Sequence, residues 1–305
     1  MTTIEQSGVT WINILHPTKE KIEAVSKLVK LHPMVKQGLL LPTFRAKLDP
    51  YDALAYLVLH FPVYDEETKI AQPQEIDFVI TQKTLISAHY KEIPALHELV
   101  KELEAQEILR KKLMRLNTVR LFYEIILRLF TLTTRELAHI EEKVSQIEKD
   151  IFADKQKEMV RLISFLRSDI INFSRAMKPL KPVFAELQTQ GISLFGKQWG
   201  IYFTTLSSEY RKVMNIVETQ SQAIRSLQAT NDSLLSFHIN QFLKILAIIN
   251  LLVVPIVIIE SIIGIRWYLQ EITGAFPAIE LIIAVLIAAL MDLLLLLFFY
   301  YKKWL

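Results

Sequence analysis

The sequence predicts an α/β cytoplasmic domain plus a long helical stalk and two transmembrane helices. Three observations carry that prediction. The composition is split: residues 1–240 are rich in charge, and residues 241–305 hold almost all the long apolar runs. Neither Pro nor Gly interrupts residues 201–254. Two apolar runs, 245–263 and 281–301, are each long enough to cross a hydrocarbon core of about 30 Å as a helix. The implied organisation is a cytoplasmic α/β domain over 1–95, a cytoplasmic helical region over 96–200 and a stalk over 201–241. A first transmembrane helix over 242–265, an outer loop over 266–276, a second transmembrane helix over 277–301 and a basic cytoplasmic tail over 302–305 complete it.

Composition excludes several classes of function. The net charge of +3 is small, and no Lys/Arg block is interleaved with aromatics, so nucleic acid is not an expected partner. The chain has no cysteine, which removes disulfides, thiol catalysis and Cys-based zinc sites and is compatible with a reducing compartment. Its seven histidines lack the i, i+4 spacing and nearby third ligand of a zinc site. With seven glycines and no phosphate loop, nucleophile elbow or paired-carboxylate motif, neither an enzyme nor a bound cofactor is expected. The first residues, MTTIEQSGVTW, have no basic segment followed by an apolar one, so no signal peptide is expected.

In the α/β domain, residues 9–14 read as a short strand. Thr18 then caps a helix over 19–30, and His32-Pro33 opens a shorter one over 34–40. The apolar run 53–61 reads as a buried strand closed by Pro62. Residues 75–80 and 84–89 read as a hairpin turning at Thr81-Gln82-Lys83. From Pro94 the spacing becomes helical: Leu96, Leu99, Val100 and Leu103, then helices over 121–152 and 157–177 with mixed charge on their outer faces. The prolines of residues 178–182 break the pattern, and Gln190-Gly191 and Phe195-Gly196 mark a loop.

The next element starts near Gly200. Leu206, Tyr210, Val213, Val217, Gln220, Ile224, Leu227, Asn231, Leu234 and His238 alternate at spacings of four and three, the seam of helices packed along their length. A continuous helix over 201–263 spans roughly 95 Å and needs partners over much of its length. Within the seam, His238 is either a packed histidine at the cytoplasmic mouth or one of a pH-sensitive ring. Into the membrane the alternation continues through Asn240, Leu243, Ala247, Asn250, Val254, Val257 and Ser261. A pore made by a ring of parallel helices has this pattern. So does a helix–helix interface held by Asn and Ser hydrogen bonds. Glu260 and Asp292 are acids inside spans, where polar groups face protein or water; for Asp292 a bond to a neighbouring helix is expected. Trp267 and Tyr268 fit an interfacial aromatic belt, and Pro277 can start the second span. Lys244 and Lys302-Lys303 put both termini in the cytoplasm.

This layout resembles the CorA family of magnesium transporters, over nearly the whole chain. Leu31-His32-Pro33-Met34, the stretch DPYDALAYLVLHFP at 49–62, Phe165-Leu166-Arg167, and Met177-Lys178-Pro179 are similar to family stretches. Asn240, Lys244, Leu246 and Pro255 fall where members carry the same residues. The resemblance implies a homopentamer in the inner membrane, multi-pass, in contact with lipid, with the first span lining the pore. Asn240, Leu243, Leu246, Ala247, Asn250, Val254, Val257 and Ser261 then face or approach the axis. Leu243, Leu246 and Val254 would form apolar constrictions, and the Asn rings would offer oxygens to hydrated magnesium, which sheds water reluctantly.

The sequence departs from the family at the outer end of the first span. The family signature Gly-Met-Asn reads Gly264-Ile265-Arg266 here, and the outer loop offers Gln270-Glu271 in place of Met-Pro-Glu. At an effective dielectric constant of about 20, like charges several ångströms apart cost on the order of a kcal/mol or more per pair, so an Arg ring repels a divalent cation. Three readings of Arg266 remain open: snorkelling to lipid phosphate, pairing with Glu271 or Glu260, or ringing the mouth and favouring anions. A second departure is Thr204-Thr205-Leu206-Ser207-Ser208, where many members carry two magnesium-sensing aspartates. Three functions follow as alternatives: a CorA-like channel for a divalent cation, magnesium by family default, with altered selectivity; an anion-selective or repurposed channel; or a non-conducting scaffold or sensor. The sequence does not assign the metal-binding residues.

Overall fold

The computed structural model describes residues 1–65, 70–115, 117–152, 156–273 and 278–302; at 156–157, 266–273, 278–281 and 284 it describes the backbone alone. The chain divides into two compact units, Met1–Ala229 and Thr230–Leu305.

The first unit is built on a six-stranded sheet in the order β1-β2-β6-β5-β4-β3. Its strands are β1 (Thr2–Gln6), β2 (Val9–Leu15), β3 (Lys47–Tyr51), β4 (Leu54–Asp65), β5 (Ile70–Ile80) and β6 (Thr84–His89). Only β2 and β6 pair in parallel; the other pairs are antiparallel. The predicted hairpin of β5 and β6 is present, and Thr81 Oγ1 accepts from the Thr84 amide at 2.8 Å in its turn. Pro62 does not close β4, contrary to the sequence-based expectation. It lies directly opposite Pro73 of β5, beyond the residues paired with β3 and β6, so neither missing N–H breaks a ladder bond. The edge strands β1 and β3 carry charged or proline-containing sequences, TTIEQ and KLDPY, and so lack the apolar run that signals a buried strand.

One face of the sheet is covered by α1 (Lys19–Leu28) and α2 (Pro33–Gly38). Thr18 caps α1 as predicted, accepting from the Lys21 amide at 3.3 Å, and the His32 Nδ1 caps α2 through the Met34 amide at 3.2 Å. The other face packs on α3 (Pro94–Ala105), α5 (Thr118–Asp150), α6 (Gln156–Met177) and α7 (Leu180–Phe195), with the short α4 (Glu107–Leu113) between α3 and α5. Gly191, read as loop, lies inside α7. It is Gly because Phe203 fills its flank: a Cβ there would sit 2.7 Å from Phe203 Cε2. The loop begins at Gly196, whose φ of 105° favours glycine.

Helix α8 runs from Gly200 to Thr273. Its helical backbone continues past residue 266, where an outer loop was expected, because no Pro or Gly occurs between Arg266 and Thr273. In the first unit its seam is covered by the chain itself. Leu206, Tyr210, Val213, Val217, Gln220, Ile224 and Leu227 are buried. A row of rings, Phe61–Phe130–Phe184–Tyr210, links β4, α5, α7 and α8 at centroid distances of 5.6, 5.5 and 5.6 Å. Ser207 donates to the Phe184 carbonyl at 3.0 Å. This part of the seam therefore finds its partners inside the subunit; further along, Asn231 is still buried, and His238 is exposed.

The second unit contains the remainder of α8 and α9 (Ala278–Tyr301). One helix among the described residues, running through Ile265, is long and apolar enough to cross a membrane, and only 11% of its most apolar stretch is covered. The helix of a soluble core would be mostly covered.

Candidate functional site

Every residue of the predicted stripe whose side chain is described is exposed on α8: Asn240, Leu243, Leu246, Ala247, Asn250, Val254, Val257, Ser261, Gly264 and Ile265. The covered or half-covered residues of the same stretch are Lys244, Ile248, Leu252, Pro255, Ile259 and Ile263. At roughly 100° per residue the two sets centre about 150° apart, on opposite sides of the helix. On α9 the covered residues are Ala288 and Phe299, with Asp292 and Leu295 half-covered between them at the same helical spacing. Each helix of this unit thus buries one side. On α8 the buried side is not the one bearing Asn240, Asn250 and Ser261.

Local chemistry on the exposed side is simple. Ser261 Oγ donates to the Val257 carbonyl at 2.7 Å, which turns its oxygen lone pairs outward as acceptors. Asn240 and Asn250 are exposed, and each carboxamide carries an acceptor oxygen. Gly264 has open space around it. The side chains of Arg266 and Glu271 lie outside the described residues, as do Gly274 to Pro277 and the last three residues of the tail. His238 is exposed beside Phe237, with ring centroids 6.0 Å apart. Asp292 Oδ1 is buried and has no hydrogen-bond partner among the described residues. Among the described residues, no group of three or more His, Asp or Glu is placed to hold a metal ion.

Sequence reasoning missed a second polar group, inside the sheet domain. Glu75 Oε2 accepts from the Thr43 amide at 2.6 Å and lies 3.4 Å from His60 Nε2, which itself donates to the Thr43 carbonyl at 2.8 Å. Two residues along β5, Asp77 is fully buried. Burial, and then the Glu75 charge, push its carboxyl well above the usual carboxylate range. Burial and the same two acids raise the Tyr56 and Tyr90 hydroxyls. The signal was in the sequence: two acids at alternating positions in a run, EIDFVI, that is otherwise apolar.

The comparisons with known proteins agree with one another. A family model described as CorA-like Mg2+ transporter protein matches residues 6–301. The Cobalt/magnesium transport protein CorA of Thermotoga maritima is 24% identical over 308 residues, covering 99% of this chain and 85% of that protein. Among solved structures, the complete CorA magnesium transporter of Methanocaldococcus jannaschii superposes with a TM-score of 0.78 at 17% identity, covering 100% of this chain and 94% of that one. The full-length CmaX protein gives a TM-score of 0.73 at 14% identity, covering 97% and 88%. The sheet domain, the long helix, the apolar C-terminal helix and the match over nearly the whole length lead to one conclusion: the chain belongs to the CorA-like Mg2+ transporter family.

Proposed function

We propose that five copies of this chain form an ion pathway in the cell inner membrane, each crossing twice with both termini in the cytoplasm. The pathway carries a divalent metal cation, with magnesium as the family default. The supporting observation is the uncovered polar stripe of α8 on the side away from the covered one. A ring of such helices supplies Asn240 and Asn250 oxygens to a hydrated cation, and Leu243, Leu246 and Val254 act as apolar constrictions. Lipid meets the outer helix faces, and the large sheet domain stays on the cytoplasmic side.

Selectivity differs from the family's, because Gly264-Ile265-Arg266 stands where the Gly-Met-Asn motif is expected. A second reading, anion passage through an Arg266 ring, is favoured by that one substitution. Flux into liposomes separates the two. Uptake of magnesium or zinc without chloride supports the first, and chloride without either metal supports the second. No flux of any ion overturns both and leaves a membrane scaffold or sensor.

A further inference from the structure

Nine buried side-chain oxygens lack a hydrogen-bond partner among the described residues, and five of them belong to one group: Thr43 Oγ1, Tyr56 Oη, Glu75 Oε1 and both oxygens of Asp77. Register explains the grouping. Glu75 and Asp77 are alternate residues on one face of β5. Asp77 pairs with Val58 of β4 and Ala88 of β6, and both neighbours belong to the apolar cluster beneath α1 and α2. Tyr56 is the diagonal neighbour of Asp77 on β4, within reach across the strand pair. Gly38, the last residue of α2, lies against the Tyr56 hydroxyl, where a Cβ would come within 2.5 Å of it. Asp77 therefore sits in the middle of the core that holds the α1–α2 cover, with no ion pair among the described residues.

We propose that Asp77 is a proton-binding site of the cytoplasmic domain, carried as the neutral acid in the closed fold, and that its ionisation loosens the α1–α2 cover. Counting donors supports this. With Asp77 ionised, the Thr43 and Tyr56 hydroxyls are the only donors in the group, facing three unpartnered carboxylate oxygens. The acid form adds a third donor and removes one of two adjacent negative charges. The groups acting on Asp77 are Glu75 on its own strand, Tyr56 on β4 and Lys47 on β3. Lys47 is already engaged by Asp49 at 2.6 Å. The Tyr56 hydroxyl favours the charged form without reaching hydrogen-bond geometry. His60 is held by Thr43 and Glu75, and Tyr90 lies beyond. Among the described residues no charged side chain of α1 or α2 acts on it.

The sign follows from linkage. A carboxyl raised in the folded state stabilises the fold fully below its ordinary value of 3.8, and that contribution is lost as pH rises through the raised value. The experiment uses the full chain in detergent. It compares wild type, Asp77→Asn and Tyr56→Phe by infrared spectroscopy of protonated carboxyls and by amide exchange in α2, corrected for intrinsic rates, across acid to alkaline pH. Wild type is expected to show a protonated-carboxyl band at neutral pH that Asp77→Asn lacks. Its α2 exchange should quicken at least tenfold as that band titrates, whereas Asp77→Asn stays slow throughout. Tyr56→Phe, which keeps the acid, should move the titration to higher pH. Equal bands in wild type and Asp77→Asn, the same exchange profile in both, or an unmoved titration in Tyr56→Phe overturns the proposal. So does closure of α2 by added magnesium at fixed pH in wild type alone, which would make the ligand a metal cation.

Discussion

Ile248 and Asn250 are two residues apart on α8 and face opposite ways: Ile248 is 6% exposed, whereas Asn250 is exposed. A separation of about 200° on a helix produces this. It divides the helix into a covered side and an uncovered one. Substitutions on the two sides should fail differently. Ile248→Asn places an amide in an apolar contact and should cost about 1–3 kcal/mol of stability, read as a lower melting temperature. Asn250→Leu should leave melting unchanged and reduce ion flux about tenfold, the loss expected when one ring of oxygens disappears from a hydrated path.

Arg266 separates the two readings of selectivity. Arg266→Asn restores the family's residue and should raise magnesium flux relative to chloride. Liposome flux with both ions checks it, and an unchanged ratio removes Arg266 from the selectivity element.

Gly191 tests the junction of α7 and α8. A methyl there meets Phe203, which is 1% exposed and packed near Phe195 at 6.4 Å, so it cannot yield. Gly191→Ala should destabilise the first unit by about 1–3 kcal/mol through overpacking, seen as a lower melting temperature with ion selectivity intact.

His89 gives a pH prediction of opposite sign to that of Asp77. Burial lowers its pKa from 6.5, while Nδ1 donates to the Lys91 carbonyl at 2.7 Å. The unfolded chain takes up a proton at higher pH than the folded one. Its stabilising contribution is therefore complete above 6.5 and lost as pH falls toward the lowered value. His89→Gln should flatten that acid-side loss, measured as melting temperature between about pH 7.5 and 5.

Where the sequence was legible, a period or a cap made it so. Thr18 and Gly196 mark real element ends, and the alternation from Leu206 to Leu227 is a buried seam. Sequence periodicity did not identify what covers the seam. Leu206 to Leu227 pack on their own subunit, because Phe184 and Ser207 meet across α7 and α8, a contact between distant segments that spacing alone does not encode. Strands β1 and β3 were missed because edge strands with Glu, Lys and Pro lack an apolar run. Pro62 misled because a strand end was inferred where Pro73 lies opposite it across an otherwise unbroken pair. In the membrane segment every described residue of the three-four alternation is exposed, as are Ile245, Ile249, Ile256 and Ile258 off it, while Pro255 is covered. The buried pair Glu75 and Asp77 went unread because two acids on one strand face carry no motif.

The absence of cysteine allows a direct test of the central claim. Single cysteines at positions 248 and 250 would be the only thiols in the protein. Flux through the reconstituted protein is followed while a membrane-impermeant, water-soluble thiol reagent is added. Asn250→Cys should be blocked within the reagent's reaction time, and Ile248→Cys should not. Block of Ile248→Cys with Asn250→Cys untouched would contradict the account, since the uncovered side of α8 would then not be the side that meets the ion.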